Sequence, residues 1–162
     1  MKYFTQYQSP VGQLTLQASD DGLLGSWFDQ QKTAPNEFGE ENNQHPILRQ
    51  TIKEYEEYFA GKRKHFDVPT TPQGTDFQKR VWAMLKTIRF GETWSYQELA
   101  IAINNPKAVR AVGLANGKNP ISIIIPCHRV IGKNGNLTGY AGGIDNKRLL
   151  LIHESEHSEL LS

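Results

Sequence analysis

Short runs of alternating apolar and polar residues, separated by turn residues, occupy the first part of the chain. Residues 3–8, 13–18 and 23–28 have the length and the side-chain alternation of β-strands. Asp20-Asp21-Gly22 separates the second run from the third and is a hairpin signal. The pattern predicts a small antiparallel sheet, to which we expect residues 65–68 to add an edge strand.

Two helices are predicted from apolar residues that recur every three or four positions. The first is followed by Gly61, a glycine placed to cap it. Its periodic residues are Leu48, Ile52, Tyr55 and Phe59. The proline- and threonine-rich residues 69–75 are typical of a linker, and Thr75 is the predicted N-cap of a second helix, which Gly91 ends. The apolar stripe of that helix comprises Phe77, Val81, Trp82, Leu85 and Ile88.

The stretch 95–117 predicts two short helices joined by a tight turn. Residues 95–98 (SYQE) form a capping box that opens the first helix, which reaches about Ile103. Asn105 is the predicted cap of the second helix and Pro106 its first residue. The pair is a helix-turn-helix pattern, which binds DNA in many proteins but which any tight corner between two helices also resembles.

Small residues dominate the second of these helices, namely Ala108, Ala111, Gly113 and Ala115. A glycine inside a helix costs about 1 kcal/mol relative to alanine. Small side chains in return allow the backbone to come very close to whatever it contacts. Tight packing against another helix and close approach to a ligand explain this composition equally well.

An isoleucine-rich run at residues 121–125 predicts a buried strand, which Pro126 ends. Cys127 follows directly, the single cysteine among 162 residues, with His128 beside it. A lone cysteine is often a small buried core residue. The adjacent imidazole also fits a nucleophile presented at the end of the run.

The last part of the chain contains a glycine-rich loop and a helix. The loop, residues 138–143, lacks the strand–helix context of a nucleotide-binding fingerprint. Asp145 is the predicted cap of a final helix from Asn146 to about Glu154. The predicted anchors of that helix are Leu149, Leu150 and Ile152.

Composition and charge narrow the class of protein. With 38% hydrophobic and 22% charged residues the chain is an ordinary globular protein. Residues 1–72 carry 7 basic and 10 acidic residues, a net charge of −3, whereas residues 73–148 carry 11 and 4, a net charge of +7. The basic part favours contact with a polyanion or is a solvated surface of no special role. One cysteine excludes an internal disulfide, and without a membrane span or signal peptide we expect a cytoplasmic protein that binds no membrane.

A cysteine becomes a nucleophile when a base or a positive charge ionises its thiol. His128 is the candidate base, and Glu154 is a candidate to orient its imidazole. Spacing alone does not select among the acids, since three others fit as well: Glu98, Asp145 and Glu156. The combination of this cysteine with a helix-turn-helix carries more information, because hydrolases do not usually contain one.

Five motifs together resemble the O6-alkylguanine-DNA alkyltransferases, a family of DNA repair proteins. They are residues 91–96 (GETWSY), 105–113 (NPKAVRAVG), 119–120 (NP), 126–130 (PCHRV) and 138–143 (TGYAGG). Their order and spacing match the family over about residues 75–154. The resemblance implies an α+β fold with two domains. A small ribonuclease-H-like sheet domain, residues 1–72, precedes a helical domain, residues 73–162, which carries a winged helix-turn-helix.

The resemblance implies irreversible, single-turnover transfer of an alkyl group from guanine O6 in DNA, with O4-alkylthymine as a further candidate substrate. Cys127 is the implied acceptor, and His128 takes its proton through a water while Glu154 orients the imidazole. Tyr96 is the implied acid that protonates the leaving guanine at N3. The substrate supplies the alkyl group, so no cofactor is expected. We also expect a monomer.

The resemblance also implies contacts with double-stranded DNA in its minor groove. Arg110 is expected to enter the base stack in place of a flipped base. The other residues implied to contact DNA or to brace the helix-turn-helix are Ser95, Ala108, Gly113 and Asn119. The implied pocket for the flipped base is formed by Val130, Tyr140, Ala141 and Gly142.

The chain departs from the family pattern at two positions, Ala141, where serine is common, and Ser155, where glycine is common. The first change keeps a backbone N–H, and the second bears on how the last helix ends. We expect no zinc site, because residues 1–72 contain no cysteine. The alternatives to an alkyltransferase are a non-catalytic sensor of alkylated bases, a helix-turn-helix regulator and, less well supported, a cysteine hydrolase.

Overall fold

A four-stranded sheet forms the first part of the molecule in a computed structural model that describes residues 1–137 and 139–158. The strands are β1 (Tyr3–Ser9), β2 (Gly12–Ser19), β3 (Gly22–Phe28) and the short β4 (Glu40–Glu41), in the order β3-β2-β1-β4. The first three are antiparallel, as predicted, and β4 pairs in parallel with β1. The predicted hairpin at residues 20–22 connects β2 to β3.

Residues 65–68 do not form the predicted edge strand. The backbone N–H groups of Asp67 and Val68 donate to Glu54 Oε1 at 2.8 and 3.1 Å, so a side chain takes the place of a neighbouring strand. The chain reaches the edge of β3 only afterwards, where Leu23 N donates to Pro69 O at 2.8 Å. The prediction of an edge strand at 65–68 is therefore wrong.

Helix α1 (Pro46–Phe59) covers one face of this sheet. His45 caps its first turn, since the His45 Nδ1 accepts from Ile47 N at 3.2 Å. Gly61 follows with φ of +76°, a left-handed conformation in which glycine is strain-free. The predicted helix and its glycine cap are both confirmed.

Three further helices form the second part of the molecule: α2 (Asp76–Leu85), α3 (Tyr96–Ala102) and α4 (Val109–Gly117). The predicted N-caps Thr75 and Ser95 both form capping boxes, with Gln78 and Glu98 respectively. The prediction for the start of α4 is wrong. Asn105 and Pro106 belong to a separate turn, closed by Ala108 N donating to Asn105 O at 3.0 Å, and the helix begins after it.

The isoleucine-rich run at 121–125 is buried but is not the predicted strand. It forms a compact turn in which Ile125 N donates to Ile121 O at 3.0 Å, and Ile123 has a φ of +74°. Only Ile121 makes a strand-like bridge, to Ser26 of β3. The turn leads into a single 3-10 turn, Cys127–Arg129.

The chain then pairs β5 (Trp94–Ser95) with β6 (Val130–Ile131) in parallel and ends in helix α5 (Ile144–His157). Gly143, with φ of +101°, occupies the N-cap of α5. Asp145 is therefore not the cap and instead lies in the first turn, 3.2 Å from Arg148. Of the predicted anchors Leu150 is buried, whereas Leu149 and Ile152 are 47% and 45% exposed.

A continuous hydrophobic core joins the sheet, α1 and the helices of the second part. It contains Leu14 and Leu16 of β2, Tyr55 of α1, and Trp82 of α2. The architecture is α+β, as predicted. None of the helices in the described part of the chain is long and apolar enough to span a membrane.

Candidate active site

Cys127 lies at the start of the 3-10 turn and is 6% exposed. Asn119, at the end of the helix-turn-helix, places its side-chain amide 3.2 Å from the Cys127 Sγ. The same amide donates to Ile125 O at 2.7 Å, and the Asn119 Oδ1 accepts from Ile121 N at 3.0 Å. Asn119 thus clamps both ends of the turn that carries the cysteine.

Burial raises the pKa of the Cys127 thiol to about 11, against the opposing effects of the Asn119 hydrogen bond and the charge of Lys147. The thiol is consequently protonated at neutral pH. A reaction at Cys127 therefore requires a group that removes its proton during the reaction itself.

His128 is fully buried, and its Nε2 lies 2.8 Å from the Glu154 Oε2. Burial lowers the pKa of His128, outweighing the raising effect of Glu154, so the ring is neutral at pH 7. A neutral ring that donates from Nε2 to a carboxylate has an unprotonated Nδ1. The Nδ1 is buried and has no hydrogen-bond partner among the described residues. It is a basic nitrogen on the side chain next to the thiol.

Glu154 is held by more than His128. Arg129 donates from Nε to Oε1 at 2.8 Å and from Nη2 to Oε2 at 3.0 Å, a bidentate pair. Burial would raise the pKa of the Glu154 carboxyl, but His128 and Arg129 outweigh burial and hold this pKa well below its usual value. Glu154 is the acid that the structure brings to His128, not Glu98, Asp145 or Glu156.

Tyr58 of α1 completes this buried cluster, with its hydroxyl donating to the Glu154 Oε2 at 2.7 Å. Burial, followed by the charge of Glu154, raises the pKa of Tyr58 well above its ordinary value, so the hydroxyl keeps its proton. Sequence reasoning assigned no chemistry to the first part of the chain and missed this residue. Tyr58 lies outside the apolar stripe that predicted α1, and no local motif marks it.

Lys147 was also missed. Its side chain is fully buried on α5, and its Nζ donates to Val130 O at 2.6 Å. Burial lowers the pKa of Lys147, and the nearby Cys127 opposes this shift. A buried lysine beside a buried thiol gives the site a positive charge that favours the thiolate. Nothing in its sequence surroundings distinguishes Lys147 from a surface lysine.

The predicted pocket residues lie in the 139–143 loop and on β6. Tyr140 and Val130 are buried, and the Tyr140 ring packs at 6.1 Å against Phe28 of β3. Gly142 approaches the same phenylalanine so closely that a Cβ there would lie 2.4 Å from the Phe28 ring. Ala141 is adjacent and half-buried. Thr138, the first residue of the glycine-rich motif, lies outside the described residues.

Tyr96 lies between α4 and this loop. A Cβ built on Gly113 would be 3.8 Å from the Tyr96 ring, and a Cβ built on Gly139 would be 3.3 Å from the Tyr96 hydroxyl. The tyrosine therefore joins the helix-turn-helix to the loop that carries Tyr140. Its side chain is half-buried, so part of it faces solvent.

The predicted DNA-contacting residues lie on or next to the helix-turn-helix. Arg110 is exposed in the first turn of α4, and Ala108 and Gly113 are half-buried on either side of it in sequence. Ser95 is half-buried, and its hydroxyl accepts from Glu98 N at 3.0 Å. Because this bond caps α3, a structural role for Ser95 stands beside the predicted contact.

Two family models match the chain across most of its length. The ribonuclease-like domain of 6-O-methylguanine DNA methyltransferase matches residues 2–72, and the DNA binding domain of the same family matches residues 76–156. The chain belongs to the 6-O-methylguanine DNA methyltransferase family. The resemblance found in the sequence is thereby confirmed, together with the α+β fold that it implied.

Full-length relatives agree with this assignment. A methylated-DNA--protein-cysteine methyltransferase of Methanosarcina acetivorans is 49% identical over 152 residues, which cover 92% of this chain and 96% of the relative. The constitutive methylated-DNA--protein-cysteine methyltransferase of Bacillus subtilis is 41% identical over 159 residues, covering 94% of each chain.

Solved structures of the family superpose closely on this chain. Mycobacterium tuberculosis OGT in complex with DNA gives a TM-score of 0.89 at 44% identity, covering 96% of this chain and 94% of that one. A second structure, of the M. tuberculosis O6-methylguanine methyltransferase, also gives a TM-score of 0.89. It is 45% identical, and the match covers 97% of this chain and 94% of that one. These 6-O-methylguanine DNA methyltransferases share both the fold and the order of the two parts with this chain.

Proposed function

We propose that this protein repairs O6-alkylguanine in DNA by transferring the alkyl group irreversibly to the Cys127 Sγ, once per molecule. One observation carries the proposal. The single cysteine of the chain is followed by a buried, neutral His128 that Glu154 holds at 2.8 Å, within a family of 6-O-methylguanine DNA methyltransferases. The two relatives described above are named methylated-DNA--protein-cysteine methyltransferases, and this chain is 49% and 41% identical to them.

Activation of Cys127 is the first proposed step. The thiol proton passes through a water to the His128 Nδ1, while Nε2–H remains bonded to Glu154. Burial disfavours the thiolate, so the step needs charges that stabilise its products. Glu154 balances the positive charge that develops on His128. Lys147 contributes a second positive charge near the sulfur, and the Asn119 amide donates to it.

Alkyl transfer and proton transfer to the base follow together. The Cys127 thiolate attacks the alkyl carbon, the S–C bond forms, and the C–O6 bond breaks with its electron pair remaining on guanine. The Tyr96 hydroxyl donates a proton to guanine N3, so the leaving group is neutral guanine, and solvent returns a proton to Tyr96. The thioether is stable, which is why the protein turns over once.

Base flipping is required because O6 of a stacked guanine is out of reach of a buried thiol. We propose that α4 enters the minor groove of double-stranded DNA and that Arg110 fills the space left by the flipped base. The small residues Ala108 and Gly113 then allow close approach of the helix backbone. Ser95 is proposed to contact the DNA, and Asn119 to brace the helix-turn-helix against Cys127.

The flipped base is proposed to lie against the 139–143 loop. Tyr140, Ala141 and Gly142 would cover it, and the backbone carbonyls of Cys127 and Val130 would accept from its exocyclic amine. The Val130 carbonyl already accepts from Lys147, and the second lone pair of this oxygen serves the base.

We further propose that residues 1–72 and 73–162 are the two domains. Support comes from the family models, which end and begin at residues 72 and 76. We infer a monomer, since one copy carries every group that the reaction uses, and a cytoplasmic protein, since Cys127 acts as a free thiol.

Intact-protein mass spectrometry tests the proposed function. The protein is mixed with an oligonucleotide duplex containing O6-methylguanine, and we expect a mass gain of one methyl group that maps to Cys127. Cys127→Ser should show no gain while binding the same duplex. An unchanged mass for the unaltered protein would rule out the proposal.

A further inference from the structure

Two adjoining grooves run along the side of α2, and the second reaches Arg129 at the edge of the catalytic cluster. The first, of about 490 Å³, lies between α2 and residues 70–73. The second, of about 470 Å³, continues past the end of α2 toward residues 64–66. Lys86 lines both grooves and marks where they meet.

The lining of these grooves is cationic. Lys79 and Lys86 line the first groove, and Lys86 and Arg89 line the second together with Lys64 and the buried Arg129. The side chains of Lys79, Lys86 and Arg89 are exposed. Within residues 1–137 and 139–158, no aspartate or glutamate lines either groove, and none of the three cations forms an ion pair. We refer to Lys79, Lys86 and Arg89 as the α2 basic strip.

The strip accounts for part of the basic charge that the proposed catalytic and base-flipping roles leave unexplained. Residues 73–148 contain 11 basic residues, of which Arg129 and Lys147 are buried in the active site and Arg110 lies on α4. Three more form the strip. An exposed row of like charges without counter-charges raises the energy of the folded protein, and a bound polyanion would relieve that cost.

The strip is fixed relative to the helix-turn-helix. Trp82, which lines the first groove, donates from its indole Nε1 to Ala115 O of α4 at 2.9 Å. This bond fixes α2 against α4, the helix that we propose to contact DNA. Lys79 lies on α2 and Lys86 is its C-cap, seven residues further along, which is about 10 Å. Cations that far apart can bind separate phosphates of one DNA strand.

We propose that the α2 basic strip is a second nucleic-acid contact, which binds backbone phosphates of the DNA outside the segment held by α4. The inference rests on the proposed DNA repair function and adds a surface to it. An acidic protein segment would also be attracted to the strip. Nucleic acid is favoured because no carboxylate of the described residues lies beside these cations in the grooves and because α2 is fixed against α4, the proposed DNA-binding helix.

The salt dependence of binding to undamaged duplex DNA tests the proposal. Each phosphate contact contributes about 0.9 to the slope of log Kobs against log salt concentration. The triple variant Lys79→Gln/Lys86→Gln/Arg89→Gln should therefore lower the magnitude of this slope by about 2 to 3. Methyl transfer from free O6-methylguanine or a free O6-alkylguanine should remain at the rate of the unaltered protein.

A matched control carries the same change of net charge elsewhere. Lys2, Lys32 and Lys53 are exposed residues of the first part of the chain, and their replacement by glutamine should leave the slope unchanged. If both triple variants lower the slope equally, the effect comes from net charge alone and the proposal is wrong. An unaltered slope in the strip variant would also overturn the proposal. If that variant instead loses binding to an acidic peptide, the strip binds protein and not DNA. Failure of the repair function itself would appear separately, as an unaltered protein that gains no methyl group.

Discussion

At the scale of single residues, the Tyr58 hydroxyl connects the first part of the chain to the chemistry of the second. It donates to the Glu154 Oε2, the same oxygen that lies 2.8 Å from the His128 Nε2. Four donors from three residues, Tyr58, His128 and Arg129, therefore fix the position of this carboxylate. The orientation of the His128 ring depends on all three, although only the histidine is adjacent to the cysteine.

Tyr58→Phe removes one of these donors and keeps the ring in the core. We expect a loss of about 1.5–3 kcal/mol in the free energy of unfolding, the range for a hydrogen bond to a charged group. We also expect a severalfold slower methyl transfer to Cys127, because Glu154 holds the imidazole less firmly. Chemical denaturation and the time course of the mass gain measure the two effects.

Tyr55→Phe is the matched control for this change. Tyr55 is on the same helix and is also fully buried. Its hydroxyl donates to Ser122 O at 2.8 Å and also bonds to the Ser26 Oγ at 2.6 Å, but it has no bond to Glu154. Loss of these two bonds should cost about 1–3 kcal/mol and leave the transfer rate unaltered. If both variants slow the transfer equally, Tyr58 acts through general stability and not by positioning Glu154.

At the scale of secondary-structure elements, α4 is the helix whose composition disfavours its own stability. Gly113 lies in its interior. Outside α4 itself, an added Cβ would come no closer than 3.8 Å to the described part of the chain, at the ring of Tyr96. That distance is an ordinary van der Waals contact. The protein interior therefore does not require glycine here, which points to a reason outside the protein.

Gly113→Ala should stabilise the protein and weaken its binding to DNA. The expected gain is about 0.5–1 kcal/mol in the free energy of unfolding, from the helix propensity of alanine. The added methyl group would hold α4 away from the floor of the minor groove, so affinity for duplex DNA should fall. Thermal unfolding and a DNA titration at fixed salt check the two changes.

Ser155→Ala is the control for an increase in helix stability outside α4. Ser155 is exposed on α5, and alanine there raises helix propensity without altering α4. Its affinity for DNA should equal that of the unaltered protein. A Gly113→Ala protein that binds DNA as well as Ser155→Ala would refute the close approach of α4.

The elements also differ in how far sequence predicted them. Helices α1, α2 and α3 were predictable because caps at Thr75 and Ser95 and the glycine at 61 have local causes. The isoleucine-rich run was mispredicted because apolar periodicity reports burial and not backbone shape. Its turn is set by the side chain of Asn119, which bonds to both of its ends.

The residues of the candidate site also differ in how far the sequence predicted them. Cys127 and His128 lie in one sequence motif, and the family resemblance selected Glu154 among several acids. The structure brings His128 and Glu154 together. Tyr58 lies 96 positions from Glu154, and Lys147 is an unmarked lysine on α5. Neither could be predicted, because their roles depend on long-range packing of α1 and α5 around the 3-10 turn.

At the scale of the whole molecule, the buried polar cluster links the two parts matched by separate family models. Tyr58 belongs to the first match, and His128, Arg129 and Glu154 belong to the second. Buried charges are costly unless they are paired, and here each has partners within 3.0 Å. Protonation that disturbs this cluster should therefore affect the stability of the entire protein.

The sign of that pH dependence follows from the pKa directions. The pKa of His128 is lowered in the folded state by burial, so below the unfolded pKa of about 6.5 the unfolded chain binds a proton that the folded protein does not. Stability is thus complete above about pH 6.5 and is lost as the pH falls below it. Glu154, whose folded pKa is also lowered, adds a further loss below its unfolded pKa of about 4.3.

We therefore expect the free energy of unfolding to fall between pH 7 and pH 5 with a slope of up to about 1.4 kcal/mol per pH unit for His128. His153, whose pKa is also lowered by burial, adds to this slope. His128→Gln should remove the contribution of His128 to this slope of the free energy of unfolding against pH. Glutamine can still donate to Glu154, but it does not titrate. The control His65→Gln, at an 83% exposed side chain, should retain the full slope. Denaturant titrations at several pH values measure it, and a slope for His128→Gln equal to that of the unaltered protein would show that His128 does not couple protonation to folding.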